Sequence, residues 1–187
     1  GRIYTGWKQI DEVPHEARLE RRALDFGYTN DPTSIIDIYS YNGGYILDEL
    51  CYKKGMSNKQ IADFLLTQED VLTIADSSEP KSIDEIKEHG VQIIGATKGP
   101  GSINQGIQFV QDQSISYTRA SRNLKKEYNA YLWMTDPKTG ASINTPEGGF
   151  DHAMDAIRYG VSSFESNKRD YTIPEDDETQ LYSDIGL

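Results

Sequence analysis

RRALDFGYTNDPTSIIDIYSYNGGYILDELCY, residues 21–52, holds three largely apolar stretches parted by two short turns. Arg21–Tyr28 (RRALDFGY) reads as a strand and Thr29–Pro32 (TNDP) as a turn. Thr33–Tyr39 is a second strand, rich in β-branched residues. Tyr41–Gly44 (YNGG) supplies hairpin turn chemistry before Tyr45–Tyr52 returns as a third. Strands joined by such short turns form an antiparallel meander.

Beyond the meander the period changes. Ser57 is a plausible N-cap for a helix running to 64–67. Val71–Ala75 (VLTIA) is short and apolar throughout, the pattern of a buried parallel strand. Ser82–His89 reads as a helix, with Ser82 and Glu85 at capping-box spacing and Gly90 as its stop. Val91–Ala96 is the next strand, Ser102–Gln111 a helix, Ile115–Thr118 a short strand and Arg119–Tyr131 another helix. Trp133–Pro146 turns on DPKTG and reads as an inserted β-hairpin, and Phe150–Phe164 as a final amphipathic helix. The expectation is an α/β domain: a mixed sheet, antiparallel meander first and parallel strands after, flanked by helices. Residues 1–20 read as a linker, 21–164 as the domain, and 165–187 as an acidic tail lacking periodicity.

Three aspartates stand where such a fold gathers chemistry. Asp25 interrupts the apolar run 23–27, and alternation puts it on the opposite sheet face from Leu24 and Phe26. A carboxylate there is costly to bury without a cation; the plainer reading is an edge strand facing water. Asp76 ends VLTIA, where the carboxyl ends of parallel strands collect ligands, although DSSEP could be only an Asx turn. Asp155 lies in the first half of the last helix, with Asp151 and His152 at i−4 and i−3 on one side; the alternative is a solvated first-turn charge pattern. Together, three carboxylates without a thiolate cluster suit hard cations, Mg²⁺ or Mn²⁺. Two such ions roughly 4 Å apart would activate water and relieve charge on a leaving oxygen in phosphodiester hydrolysis.

Composition limits the alternatives. The chain has 187 residues, enough for one core, and a single cysteine, Cys51, which excludes an internal disulfide. No apolar run approaches the ~20 residues of a membrane span, and the N-terminus lacks a signal-peptide core. The net charge of −11 argues against nucleic acid, but seven of the acids fall in 165–187. Bases that could follow a phosphate backbone are Lys81, Lys98 in KGPGS, and Arg119, Arg122, Lys125 and Lys126; the last four could equally be a solvated helix face.

ALDFGYTNDPTSI (23–35), IADSSEPKSIDEI (74–86), ATKGPGSINQGI (96–107) and FDHAMDAIRYG (150–160) carry a resemblance that spans about residues 18–164. The chain resembles the nuclease domain of phage terminase large subunits, whose RNase H-like fold is shared with retroviral integrases and Holliday-junction resolvases. The resemblance implies a divalent-metal-dependent endonuclease that cuts double-stranded DNA during genome packaging and leaves 5′-phosphate and 3′-hydroxyl ends. It implies Asp25, Asp76 and Asp155 as ligands of two Mg²⁺ or Mn²⁺ ions. His152 would be a fourth catalytic group, as ligand or as partner of a phosphate oxygen, with Asp151 and Glu79 behind them. It further implies an ATPase motor N-terminal to such a domain, a terminase small subunit and portal protein as partners, and action in the host cytoplasm rather than the virion. This chain has no G-x-x-x-x-G-K-[ST] phosphate loop, so packaging ATPase activity is not expected of it. The hairpin is expected to move over the site and limit cutting. The competing readings are another RNase H-like enzyme, such as a junction resolvase, and a noncatalytic docking module.

Overall fold

The computed structural model describes residues 1–165. Its strands are β1 (Lys8–Ile10), β2 (Arg18–Asp25), β3 (Thr33–Tyr41), β4 (Gly44–Lys53), β5 (Thr73–Ala75), β6 (Ile93–Gly95), β7 (Ile115–Thr118), β8 (Trp133–Thr135) and β9 (Ser142–Pro146). The helices are α1 (Asn58–Leu66), α2 (Pro80–Glu88), α3 (Ser102–Gln111), α4 (Arg122–Ala130) and α5 (His152–Ser162). Seven strands form one sheet in the order β1-β7-β4-β3-β2-β5-β6, and β8 and β9 pair separately as the expected hairpin.

Strands β2 and β4 are antiparallel to β3, whereas every other pair in the sheet is parallel. Within the described sheet β3 therefore runs against all its companions. The carboxyl ends of β2, β4, β5, β6 and β7 then lie along one edge, where ligand-binding groups of α/β sheets collect. The mixed architecture expected from the meander and the later β/α alternation is the observed one.

Strand alternation divides the core in two. Ala23, Ile36, Ile38 and Leu47 meet Ile107 of α3, Leu124 of α4 and Ile157 and Val161 of α5 on one face. Leu24 and Ile35 meet Ile61 of α1 and Ile86 of α2 on the other. Helix α5 crosses β2, β3 and β5. It comes close because Gly160 faces the sheet, where a Cβ would collide with Ile38 Cδ1 and Ala23 Cβ. Gly160→Val should therefore lift α5 and cost about 3 kcal/mol by overpacking. In a domain of this size that lowers the melting temperature by roughly 10 °C. An unchanged thermal midpoint would mean that α5 has slack above β2.

Four sequence expectations need correction. Residues 1–20 are not merely a linker: β1 adds to the sheet edge beside β7, and Ile3 and Tyr4 are buried. A stack of Tyr4, Trp7 and Tyr128 holds this segment down. Strand β2 begins at Arg18 and stops at Asp25. It stops because Gly27, where a Cβ would strike the Asp31 and Pro32 backbone, and Tyr28, with φ +56°, turn the chain away. The Ser82–Glu85 capping box does not form. Pro80 opens α2 one turn earlier, so Ser82 lies inside the helix and is buried. The box that does form joins Ser57 and Gln60 at the start of α1. Finally, α4 starts at Arg122 rather than Arg119, whose amide is spent on the Ile10 carbonyl. The acidic stretch expected at 165–187 lies outside the described residues apart from Glu165.

Candidate active site

Asp25 is the last residue of β2, and Asp76 immediately follows β5. The register pairs Leu24 with Ala75 at the ends of these adjacent parallel strands, so the two carboxylates leave the sheet side by side. Alternation sends Asp25 to the Ala23 face, which α5 covers, while Leu24 and Phe26 join the opposite core. Helix α5 brings His152 over it: His152 Nδ1 is 3.4 Å from Asp25 Oδ2. The other ring nitrogen, Nε2, is 3.5 Å from Asp31 Oδ1, so two carboxylates bracket the imidazole. Asp155 is one turn along the same helix side and is held by Arg158 Nη2 at 3.2 Å.

Burial decides the electrostatics. Asp25 is 7% exposed, and loss of water pushes its carboxyl from the usual 3.8 to about 6; His152 pulls it down, while Asp76 and Asp151 push it up. Asp155 is driven to about 7, first by burial and then by Asp151, against the opposing pull of Arg158. The hydrogen bond to Asp25 raises His152 above its usual 6.5, partly offset by burial. Asp76 is half-buried and folds into an Asx turn, accepting from the Ser78 amide at 2.9 Å and the Ser78 hydroxyl at 2.7 Å. The turn and the clustered aspartate are thus compatible readings of one residue.

The donor set suits a hard divalent cation: carboxylates and an imidazole, no thiolate, and more buried negative charge than Arg158 and His152 neutralise. Among the described residues no three His, Cys, Asp or Glu side chains close on a single point. Asp76 lies near enough to raise the pKa of Asp25, and Asp25 that of Asp155, but each acid turns to its own partner: Asp25 to His152, Asp155 to Arg158 and Asp76 to Ser78.

Glu127 is the buried acid that the sequence reading misses. It is fully buried in α4, and its Oε1 accepts the backbone N–H groups of Ala153 at 2.7 Å and Met154 at 3.1 Å. Its Oε2 accepts the Tyr52 hydroxyl at 2.5 Å. A carboxylate thereby caps the start of the helix that carries His152 and Asp155, where the N–H groups and the helix dipole both favour negative charge. The signal is present in the sequence: Glu127 interrupts the apolar stripe Leu124, Tyr128, Tyr131 of α4. A second strut is Tyr28, whose hydroxyl meets Glu79 Oε2 at 2.9 Å and Ser82 Oγ at 2.5 Å. It ties the loop after Asp25 to the turn after Asp76.

The candidate DNA-binding bases divide. Lys81, beside the Asp76 turn, and Lys98, after β6, are exposed at the edge of the sheet that carries the aspartates. Arg119 pairs with Asp11 at 2.7 Å and Lys125 donates to Gln9 at 3.0 Å, exposed contacts on the β1 side of the sheet. Strand β1 is four strands from β2, about 19 Å at the usual spacing. Arg122 and Lys126 are exposed on α4.

The model of the Terminase RNAseH like domain family matches residues 25–163, a span that opens on Asp25 and takes in Asp76, His152 and Asp155. The large subunit of the terminase of Bacillus phage SPP1 is 38% identical over 148 residues, 74% of this chain and 35% of that protein. The PBSX phage terminase large subunit of Bacillus subtilis strain 168 is 28% identical over 174 residues, 84% of this chain and 40% of its own length. The chain thus spans little more than a third of these relatives. The crystal structure of the large terminase nuclease domain from bacteriophage SPP1 with bound Mn superimposes with a TM-score of 0.72 at 28% identity, covering 86% of this chain and 97% of that one. The family match spans most of the chain, and the SPP1 relative and its solved nuclease domain agree with it: the chain belongs to the terminase RNase H-like domain family.

Proposed function

We propose that this chain is a divalent-metal-dependent endonuclease that hydrolyses phosphodiester bonds in double-stranded DNA during phage genome packaging. The observation that supports this reading is that His152 of α5 reaches Asp25 of β2, with the charge of Asp76 on Asp25, and of Asp25 on Asp155, adding to the rise of these two buried carboxyls to about 6 and 7. The Mn bound in the SPP1 nuclease domain supports a divalent cation, Mg²⁺ or Mn²⁺, as the cofactor here. Asp25, Asp76 and Asp155 would hold the ions, two by the family resemblance. Bound there, they supply a lowered water pKa and relief of charge on the departing oxygen.

The chain's own residues do the rest. Arg158 fixes the Asp155 carboxylate and balances part of its charge. With a proton on Nδ1, His152 would donate to Asp25, and its raised pKa makes it a cation more readily near neutral pH. Such a ring can donate to a non-bridging phosphate oxygen. The bond that forms is water oxygen to phosphorus, and the bond that breaks is phosphorus to O3′, leaving a 5′-phosphate and a 3′-hydroxyl. Lys81 and Lys98 would meet phosphates of the duplex on either side. In the complete protein we assign an ATPase motor, a small subunit and a portal protein as partners, in the cytoplasm of the infected host.

The test is cleavage of supercoiled plasmid with Mg²⁺ or Mn²⁺. Nicking and linearisation are expected from the wild type and not from Asp76→Ala. Full activity in that variant would remove the assignment, and a strong preference for branched over linear duplex would point to a resolvase instead.

A further inference from the structure

A groove of about 340 Å³ opens beside His152, lined by Asp31 and Pro32 of the β2–β3 loop, Tyr52 and Lys54 at the end of β4, and Phe150 on the loop entering α5. Its composition is not that of a packing defect. Phe150 is 47% exposed although the next residues of the chain turn into the core. Lys54 stands just past the carboxyl end of β4, which shares its sheet edge with the ends of β2 and β5. Lys54 has no ion-pair partner among the described residues, whereas Lys59 nearby in sequence is paired with Asp63. The Tyr52 hydroxyl is committed to Glu127, which leaves its ring to line the groove. The acidic group present, Asp31, lies 3.5 Å from His152 Nε2 and is partly offset by that ring.

A cation, two aromatic rings and a proline beside a phosphate-cutting centre match the two halves of a nucleotide, an anionic phosphate and an apolar sugar–base face. We propose that this groove grips one nucleotide of the cleaved strand next to the scissile phosphate, its phosphate on Lys54 and its sugar–base face on Phe150. The assignment rests on the nuclease reading above. An apolar small molecule would gain nothing from Lys54, and a bare phosphate would gain nothing from Phe150. The groove is a positioning device, so its residues should govern how tightly DNA is held more than the chemical step.

The experiment measures binding of a short fluorescent DNA duplex by anisotropy in EDTA, then cleavage kinetics in Mn²⁺. Phe150→Ala should weaken binding about tenfold, the size of one lost aromatic contact to a base or sugar. Lys54→Ala should weaken it and lower the dependence of log K on log salt by about one phosphate contact. Phe150→Trp and Lys54→Arg should restore binding. Lys59→Ala, which removes the same charge away from the groove, should bind like the wild type. In both alanine variants the loss should fall on KM more than on kcat, since neither side chain is one of the proposed ligands Asp25, Asp76 and Asp155. Wild-type affinity in both alanine variants, or a loss confined to kcat, overturns the proposal. If the wild type cuts no DNA in any divalent metal while the groove variants still bind more weakly, the nuclease reading falls and takes the scissile phosphate with it, and only the groove's contact with DNA stands.

Discussion

Asp25→Asn is expected to abolish cleavage and, in the metal-free protein at pH 8, to raise the melting temperature. The two effects share one cause. Asp25 is buried, and its carboxyl is pushed from 3.8 to about 6 chiefly by loss of water. A carboxylate with a raised folded-state pKa weakens the fold when it ionises. The penalty is absent below the unfolded value, grows between 3.8 and about 6, and is complete above that. Its full size is on the order of 3 kcal/mol. Asparagine removes the charge but loses a good partner for His152, so a rise of roughly 5 °C is the expected balance. The advantage should shrink toward nothing as pH falls through 4. Asp155, driven to about 7, adds a penalty of the same sign, but its removal orphans Arg158, so its asparagine variant should gain less. A ligand cation reverses the order of stability. Ions bound only by the folded state at a hundred times their Kd stabilise by about 2.7 kcal/mol. Mn²⁺ should therefore raise the wild-type midpoint at pH 8 and do little for Asp25→Asn. Protons compete for the same oxygens, so metal affinity and cleavage should both climb as pH rises through 6 to 7. The loss of cleavage should exceed about a thousandfold, since a lost charged ligand removes several kcal/mol of transition-state stabilisation. Calorimetry across pH with and without Mn²⁺ checks all of this. An Asp25→Asn protein that melts below the wild type at pH 8, or cuts within tenfold of it, contradicts the site as described.

What could be read from the sequence follows a physical division. A strand has two side-chain directions, so the run Ala23–Leu24–Asp25–Phe26 is enough to send Asp25 to the face that α5 covers. Helical spacing likewise puts His152 and Asp155 on one side of α5 before any contact is known. Terminal strand β1 has three residues and no period to detect; it exists because Ile3, Tyr4 and Trp7 find partners more than a hundred residues away. The Ser82–Glu85 spacing misplaces the start of α2, because the fixed φ of Pro80 opens the helix before it. That Asp31 reaches His152 depends on the turn made by Gly27 and Tyr28, which periodicity does not describe. Charge partners are the least legible: nothing in the sequence announces that β1 brings Asp11 beside Arg119 and Gln9 beside Lys125.

Glu127→Ala is expected to be the most damaging single change outside the aspartates, although Glu127 is not proposed to touch DNA or metal. The side chain is fully buried, and three donors end on it: the amides of Ala153 and Met154 and the hydroxyl of Tyr52. Alanine would leave the two buried amides without acceptors and the half-buried Tyr52 hydroxyl without its partner. Each orphaned buried group costs about 1–3 kcal/mol, and the vacated volume adds to that. A total of about 4 kcal/mol lowers the melting temperature by roughly 10 °C or more in a domain of this size. The damage is directional, because the freed amides belong to the first turn of α5. Loosening that turn moves His152 away from Asp25 and Asp155 away from its partners, so residual folded protein should cut poorly. Glutamine separates shape from charge. Its carbonyl oxygen can still accept both amides, and the Tyr52 hydroxyl can rotate to accept from the new NH₂ group. Glu127→Gln should therefore melt within a few degrees of the wild type and keep its pH profile and kcat. Should Glu127→Ala melt like the wild type, α5 is held by Gly160 and its apolar face alone, and the carboxylate cap is ornamental. If instead Glu127→Gln folds normally but loses activity, the negative charge itself, facing His152 through the helix start, sets the electrostatics of the cutting centre.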